Sequence, residues 1–199
     1  MNFQHSFEEW LEKDIPFESV DPEAKWHQIV RYADQYENVV ETGTAQGVTT
    51  GVLAAHFKKV WTIELREEYY NTARVTLKDI KNVKMVKGSS AQKLLDVIKQ
   101  VNAPAVYYLD GHYSGPGTGQ DFNIQTPDTP ILVEMEALSR SKYNNVVIID
   151  DARLFKGQEW NDHRFAQYPD LETLGEIVDR FKVPSTIWRE LDAFIVEPK

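Results

Sequence analysis

The most restrictive feature of the sequence is the regular alternation of strand-like and helix-like segments along almost its whole length. Short apolar runs that predict strands are each followed by a segment whose apolar residues recur at helical spacing. Strict alternation with short connections predicts a parallel sheet with helices on both faces. The unbroken apolar run Val146–Ile149 agrees, because a strand buried on both faces loses its polar alternation. The predicted strands are 38–41, 60–64, 83–86, 105–110 and 146–150, and the predicted helices are 7–11, 22–36, 46–57, 67–80, 91–101, 130–139 and 171–181.

The end of the chain departs from this alternation. Segments 185–188 and 193–196 are separated only by Arg189–Asp192, which is too short for a helical crossover but suits an antiparallel hairpin. The sequence therefore predicts an α/β, Rossmann-like doubly wound sheet that is mostly parallel and carries a C-terminal antiparallel hairpin strand. Ligands bind such sheets at the carboxyl ends of the strands, near the point where the strand order reverses.

We expect two regions, an N-terminal helical flank or lid at residues 1–37 and a ligand-binding domain at residues 38–199. In the flank, Asp21 followed by Pro22 predicts the start of the helix over 22–36. These helices could close a pocket or form a homodimer, and the sequence leaves both possibilities open.

The composition is acidic and lacks cysteine. The 22 basic and 31 acidic residues give a net charge of -9, and no basic tract is present, so we expect no nucleic-acid partner. With 0 cysteines, only oxygen atoms and histidine remain as metal ligands, which favours a hard cation. The chain has neither a basic-then-apolar leader nor an apolar run of ~18 residues, so we expect a cytoplasmic protein without membrane contact.

The first predicted strand runs into a glycine turn, Glu41-Thr42-Gly43-Thr44-Ala45-Gln46-Gly47. Its glycines permit a tight turn, and the free amides of the next helix attract a carboxylate or phosphate. An ordinary strand-to-helix turn needs the same glycines, so this motif alone is weak evidence. Ala45 stands where the dinucleotide fingerprint has its middle glycine, which counts against a dinucleotide.

The ends of the second and third strands add signs of a nucleoside site. Glu64 lies about twenty residues beyond Gly43, the separation at which an acidic residue meets ribose hydroxyls in this architecture. The alternative is that Glu64 stabilises the start of the next helix. After the third strand, Ser89 and Ser90 are candidates for cofactor contacts, Ser89 with the adenine, although a helix cap better explains Ser90.

Three aspartates follow the fourth and fifth strands. Because neighbouring parallel strands lie about 4.8 Å apart, we expect Asp110 to converge with Asp150 and Asp151 at one sheet edge. Such carboxylates repel each other unless a cation or shared proton intervenes, and a hard divalent ion is the simplest solution. The alternatives are that Asp150 caps a loop, that Asp151 pairs with Arg153 or with a basic residue elsewhere, and that Asp110 contacts only a cofactor.

From Asn38 to Val196 the chain resembles the class I S-adenosylmethionine-dependent methyltransferases. The resemblance rests on the turn formed by Glu41, Gly43 and Gly47, on Glu64, and on the terminal hairpin. It implies that the turn, including Thr44, holds the methionine part of the cofactor and that Glu64 holds the ribose. In the family an acidic residue commonly follows the glycine after strand three, and here Ser89 stands at that position.

The aspartates resemble the magnesium site of the metal-dependent O-methyltransferases of the catechol, caffeoyl-coenzyme A and macrolide-sugar groups. This implies Mg²⁺, or another hard divalent cation, on Asp110, Asp150 and Asp151. It also implies methyl transfer from S-adenosylmethionine to a small hydroxylated metabolite or sugar. Catechol-type enzymes carry a lysine base three residues after the first aspartate, and Tyr113 stands there instead.

Two histidines are candidates for the general base, and Asp110 is the third member of the predicted catalytic set. His112 follows Asp110 directly, and His163 lies in the irregular stretch 152–170. His112 could instead only orient a carboxylate. The loops 111–128 and 152–170 would shape the acceptor pocket, although simple packing better explains Phe155 and Tyr168.

The sequence is also compatible with two other functions. One is a metal-dependent hydrolase or an NAD-linked enzyme on a similar sheet. The other is a non-catalytic nucleoside-binding protein, which Ser89 and the missing lysine would suit.

Overall fold

The computed structural model describes residues 21–113, 118–155 and 167–199. Within these ranges one sheet contains seven strands in the order β3-β2-β1-β4-β5-β7-β6. The strands are β1 Asn38–Thr42, β2 Lys59–Glu64, β3 Val83–Lys87, β4 Ala105–Leu109, β5 Val146–Ile149, β6 Ser185–Glu190 and β7 Ala193–Pro198.

The described helices connect these strands as the alternation predicts. They are α1 Pro22–Val30, α2 Val48–His56, α3 Glu67–Thr76, α4 Ser90–Val101, α5 Ile131–Ser139 and α6 Leu171–Asp179, with a short 3-10 helix at Ala152–Phe155. The predicted helix over 7–11 lies outside the described residues. The predicted cap of α1 is confirmed, since the Asp21 carboxylate accepts a hydrogen bond from the Glu23 amide at 2.9 Å. The predicted extension of α1 to residue 36 is wrong, because the chain turns after Val30.

The predicted fold class is confirmed. Strands β1 to β5 pair in parallel, and β7 pairs antiparallel with both β5 and β6. Only Leu191 and Asp192 separate β6 from β7, so the hairpin turn is shorter than predicted. The strand order reverses between β1 and β4, and Asp110 follows β4 at that point. This topology brings the glycine turn and the predicted acidic residues to one edge of the sheet.

The sheet is buried on both faces. Every residue of β1, β4 and β5 is buried, as the unbroken apolar runs predict. One apolar cluster, around Tyr107, Met135 and Phe194, packs on one face, and a second, around Ile29, Leu53 and Ile148, packs on the other. Helix α1 belongs to the second cluster through Ile29, so it is part of the folded body around the sheet. No helix in the described ranges is long and apolar enough to cross a bilayer.

Candidate functional site

The glycine turn passes directly against the end of β4. Gly43 has a φ of +86°, and a Cβ built on it would lie 2.3 Å from the Asp110 carbonyl oxygen. Gly47 has a φ of +84° and stands at the N-cap of α2. Only glycine allows the turn to approach β4 this closely, so the predicted cofactor turn and the first aspartate share one wall of the site.

Glu41 and Thr44 lie beneath the glycine turn. The Glu41 side chain is buried and accepts hydrogen bonds from the hydroxyls of Thr50 at 2.5 Å and Thr62 at 2.6 Å. The Thr44 hydroxyl lies 2.5 Å from that of Thr62. Burial raises the pKa of Glu41 to about 7, although both threonine hydrogen bonds oppose the shift. Glu41 and Thr44, which were predicted to contact the cofactor, are therefore buried beneath the glycine turn and support it.

The raised pKa of Glu41 predicts a pH-dependent stability. Between pH 4.5 and 7 the folded protein keeps a proton that the unfolded chain has released, so the free energy of unfolding falls as pH rises. One such group contributes at most about 1.4 kcal/mol per pH unit. Glu41→Gln keeps an acceptor for both threonines but does not titrate. We therefore expect the free energy of unfolding of the variant, measured with urea, to change with pH along a shallower slope between about pH 5 and 7. An unchanged slope in the variant would contradict this assignment.

Glu64 bridges the glycine turn and the start of α3. Its carboxylate accepts the amide of Ala45 at 2.8 Å and the amide of Arg66, the N-cap residue of α3, at 2.7 Å. Glu64 thus fills part of the alternative role at the helix start, and its ribose contact stays a prediction. Each carboxylate oxygen has a second lone pair with which it can accept a ligand hydroxyl.

The prediction that Ser90 caps the fourth helix is wrong. The helix begins one residue earlier than predicted, with Ser89 at the N-cap and Ser90 at its first position. Ser90 instead lies beside the buried Glu134 of α5, and burial raises the pKa of that carboxyl to about 7. Ser89 lies beside Asp121, for which the sequence shows no local signal, and Asp121 Oδ1 accepts hydrogen bonds from Asn123.

Residues 118–121 of the long loop after β4 lie toward the end of β2. A Cβ on Gly119 would come within 2.9 Å of the Leu65 side chain and 3.0 Å of the Arg66 side chain. Together with the contact between Asp121 and Ser89, this places residues 118–121 over the ends of β2 and β3. That is the side of the site where Glu64 lies.

The structure brings the three predicted aspartates together, and we call Asp110, Asp150 and Asp151 the acidic cluster. The Tyr108 hydroxyl donates to Asp150 Oδ2 at 2.7 Å and lies 3.4 Å from Asp110 Oδ2. His112 lies between Asp110 and Asp151, with its Nε2 2.7 Å from Asp151 Oδ2 and its Nδ1 3.4 Å from Asp110 Oδ1. The convergence expected from the parallel strands is therefore present.

The acidic cluster already has cationic partners within the chain. Lys25 of α1 places Nζ 2.8 Å from Asp150 Oδ2 and 3.1 Å from Asp151 Oδ1. Arg153 donates to Asp151 Oδ1 at 2.7 Å and also pairs with Asp192 in the hairpin turn. The pairing of Asp151 with Arg153, one of the alternatives to a metal, is observed. Lys25 and Asp192 were not found from the sequence.

The arrangement does not fit a divalent ion. Within the ranges that the structure describes, no group of three or more His, Asp or Glu side chains is placed to hold a metal. Lys25 Nζ lies at hydrogen-bond distances of 2.8 Å and 3.1 Å from carboxylate oxygens of Asp150 and Asp151. Magnesium would need these oxygens as ligands at about 2.0–2.1 Å, and calcium at about 2.3–2.6 Å. The alternative that Asp151 pairs with a basic residue elsewhere in the chain is observed, and that residue is Lys25 of α1.

These contacts separate the pKa values of the acidic residues. Burial and the charge of Asp150 raise the pKa of Asp110 well above its ordinary range. Burial alone would raise the pKa of Asp151, but the hydrogen bond and charge of His112, with Lys25 and Arg153, hold it well below that range. Burial lowers the pKa of His112, yet the bond to Asp151 and the charge of Asp110 give a net increase. The 2.7 Å contact between His112 Nε2 and Asp151 Oδ2 supports the alternative in which His112 orients a carboxylate.

A small cavity adjoins His112 on the α5 side of the sheet edge. It is lined by Leu109, Gly111, Glu134, Tyr168 and Asp150, among others. Phe155 and Tyr168 are buried in the core with ring centroids 5.1 Å apart, so packing explains both, as expected. His163, the second predicted base, lies outside the described residues.

No family model matches the chain, and no curated protein matches it in sequence. Solved structures do match its fold. An O-methyltransferase from Bacillus cereus in complex with SAH is 20% identical, with a TM-score of 0.60 over 92% of this chain and 84% of that one. The O-methyltransferase TomG from Streptomyces achromogenes, in complex with SAM, is 17% identical, with a TM-score of 0.59 over 93% and 83%. The SAH-bound methyltransferase PaMTH1 from Podospora anserina is 13% identical, with a TM-score of 0.58 over 96% and 85%.

These likenesses establish the fold that the sequence predicted. The chain has the Rossmann-like fold of the class I S-adenosylmethionine-dependent methyltransferases, with the C-terminal hairpin placed as expected.

Proposed function

We propose that this protein is an S-adenosylmethionine-dependent methyltransferase that methylates an oxygen of a small hydroxylated metabolite or sugar. The observation that carries the proposal is the direct contact between two half-sites. The glycine turn with Glu64 forms one half and the acidic cluster the other, and Gly43 packs against the Asp110 carbonyl where they meet. A cofactor methyl group and an acceptor hydroxyl would thus be held side by side at the strand ends.

The residues at the first half suit the cofactor. When bound, S-adenosylmethionine supplies an electrophilic methyl group on a positively charged sulfur. In this proposal the Glu64 carboxylate accepts the ribose hydroxyls, and the amides of Thr44 and Gln46 face the methionine carboxylate, because the amides of Gly43, Ala45 and Gly47 already donate within the chain. Ser89 and Asp121, which lie side by side, are polar groups available near an adenine. Asp121 would then compensate for the acidic residue that is absent at position 89.

Asp110 is the residue in the acidic cluster best suited to accept a proton from the acceptor hydroxyl. Its side chain is 32% exposed, whereas those of Asp150 and Asp151 are 4% and 8% exposed. Its contacts to Tyr108 and His112 are long, at 3.4 Å each. A carboxylate with a raised pKa is a stronger base, and partial desolvation together with the charge of Asp150 raises the pKa of Asp110. His112 would hold Asp151 and Asp110 in place as a positioning residue.

The expectation of magnesium dependence is not part of this proposal, because Lys25 and Arg153 already pair with the carboxylates that the ion would need.

Radiolabelled S-adenosylmethionine and a panel of catechols, phenols and sugars test the function. We expect label transfer to at least one acceptor class and a loss of about 100-fold in kcat for Asp110→Asn. Glu136→Gln, which changes an exposed carboxylate on α5, is the control and should keep the wild-type rate. Cofactor binding without transfer to any acceptor would favour the non-catalytic alternative, and absence of binding would refute the proposal.

A further inference from the structure

Lys25 reaches the acidic cluster from a distant part of the chain. It lies on α1, 125 residues before Asp150 and 126 before Asp151 in sequence, yet its ammonium group lies between their carboxylates. The lysine side chain is 20% exposed, against 4% for Asp150. An ammonium group so close to two buried carboxylates compensates their charge, in addition to the charge that Arg153 supplies to Asp151.

Hydrogen-bond donors contact both carboxylate oxygens of Asp151 and one carboxylate oxygen of Asp150. Asp151 Oδ1 receives Lys25 and Arg153, and Asp151 Oδ2 receives His112. Asp150 Oδ2 receives Lys25 and the Tyr108 hydroxyl. An ion bound to these oxygens would have to displace N–H and O–H donors and would stand beside two fixed positive charges.

Several contacts fix the position of α1 and therefore that of Lys25. Trp26 Nε1 donates to Thr49 Oγ1 on α2 at 3.2 Å. Gln28 Nε2 donates to the Glu190 carbonyl at the end of β6 at 2.8 Å, and Arg31 pairs with the Glu190 carboxylate. Ile29 is completely buried. The helix is thus held at both the α2 and β6 ends, with Lys25 directed toward the strand edge between them.

We propose that the Lys25 ammonium is the resident cation of the acidic cluster and takes the place that a divalent metal would hold. The cluster then needs no added ion for folding or cofactor binding. The further consequence, that methyl transfer does not depend on metal, rests on the proposed function, but the binding and stability tests below do not.

Binding of Mn²⁺, followed by electron paramagnetic resonance, tests the proposal without cofactor or acceptor. Wild-type protein should show no site tighter than about millimolar, and a chelator should leave its melting temperature unchanged. Lys25→Met should melt roughly 5–10 °C lower because two buried carboxylates lose their ammonium partner. The variant should also bind Mn²⁺ at least about tenfold more tightly than wild type and regain stability with it. Lys99→Met is the matched control, since Lys99 is also helical and paired with an aspartate, but is 66% exposed.

Acetylation of lysines in the wild-type protein, followed by mass spectrometry, covers the case in which Lys25→Met does not fold. We expect Lys25 to react at least about tenfold more slowly than Lys99, with no change when millimolar Mg²⁺ or Mn²⁺ is added. A micromolar Mn²⁺ site in wild type, or a Lys25 that becomes reactive when metal is added, would overturn the proposal. Either result would leave the proposed methyltransferase function standing, because neither experiment measures cofactor binding or transfer.

Discussion

Glu64→Ala is expected to weaken the binding of S-adenosylhomocysteine by roughly 30- to 100-fold, because hydrogen bonds to a charged carboxylate contribute about 1.5–3 kcal/mol. The variant loses the acceptor of the ribose hydroxyls and also the contact that holds Ala45 at 2.8 Å. Isothermal titration calorimetry measures the change directly.

Glu67→Ala is the control for this substitution. Glu67 lies three residues further along, in the first turn of α3, and is exposed to solvent. Its loss should leave the affinity within about twofold of wild type, since exposed charges contribute little. Equal affinities for wild type and Glu64→Ala would contradict the assignment of the ribose site.

Gly43→Ala is expected to lower the free energy of unfolding by roughly 3 kcal/mol or more and to abolish cofactor binding. The alanine would be strained at a φ of +86°, and its Cβ would meet the Asp110 carbonyl oxygen at 2.3 Å. Because the contacted atom is backbone, β1 and β4 must separate at the point where the two half-sites meet. Urea unfolding and calorimetry with S-adenosylhomocysteine measure the two effects.

Gly51→Ala provides the matched control for Gly43→Ala. Gly51 lies within α2, and a Cβ there would meet no atom within 4 Å. Alanine favours a helix over glycine by about 1 kcal/mol, so this variant should be as stable as wild type or more so. A wild-type stability for Gly43→Ala would show that the turn can move away from β4, against the geometry described above.

The sequence was sufficient to predict the features that depend on local periodicity. The alternation of strands and helices, the final hairpin and the convergence of Asp110 with Asp150 all follow from the geometry of a parallel sheet. The burial of β1, β4 and β5 follows from their unbroken apolar runs. These are regular consequences of backbone structure, which is why they needed no knowledge of tertiary contacts.

The contacts that define the chemistry of the site could not be predicted in the same way. Lys25 pairs with residues more than 120 positions away, and no spacing rule connects it with Asp150. Arg153 meets Asp192 across the hairpin turn, and Ser90 lies beside the buried Glu134 of α5. Three converging carboxylates on their own predict a metal, but the same carboxylates with a nearby ammonium group do not.

A crystal structure of the protein grown with S-adenosylhomocysteine tests whether the cofactor binds at this edge of the sheet. We predict the nucleoside along the turn from Gly43 to Gly47, with its ribose hydroxyls on the Glu64 carboxylate and its sulfur facing Asp110. S-adenosylhomocysteine that is absent from this edge of the sheet, or bound with its ribose away from Glu64, would contradict it.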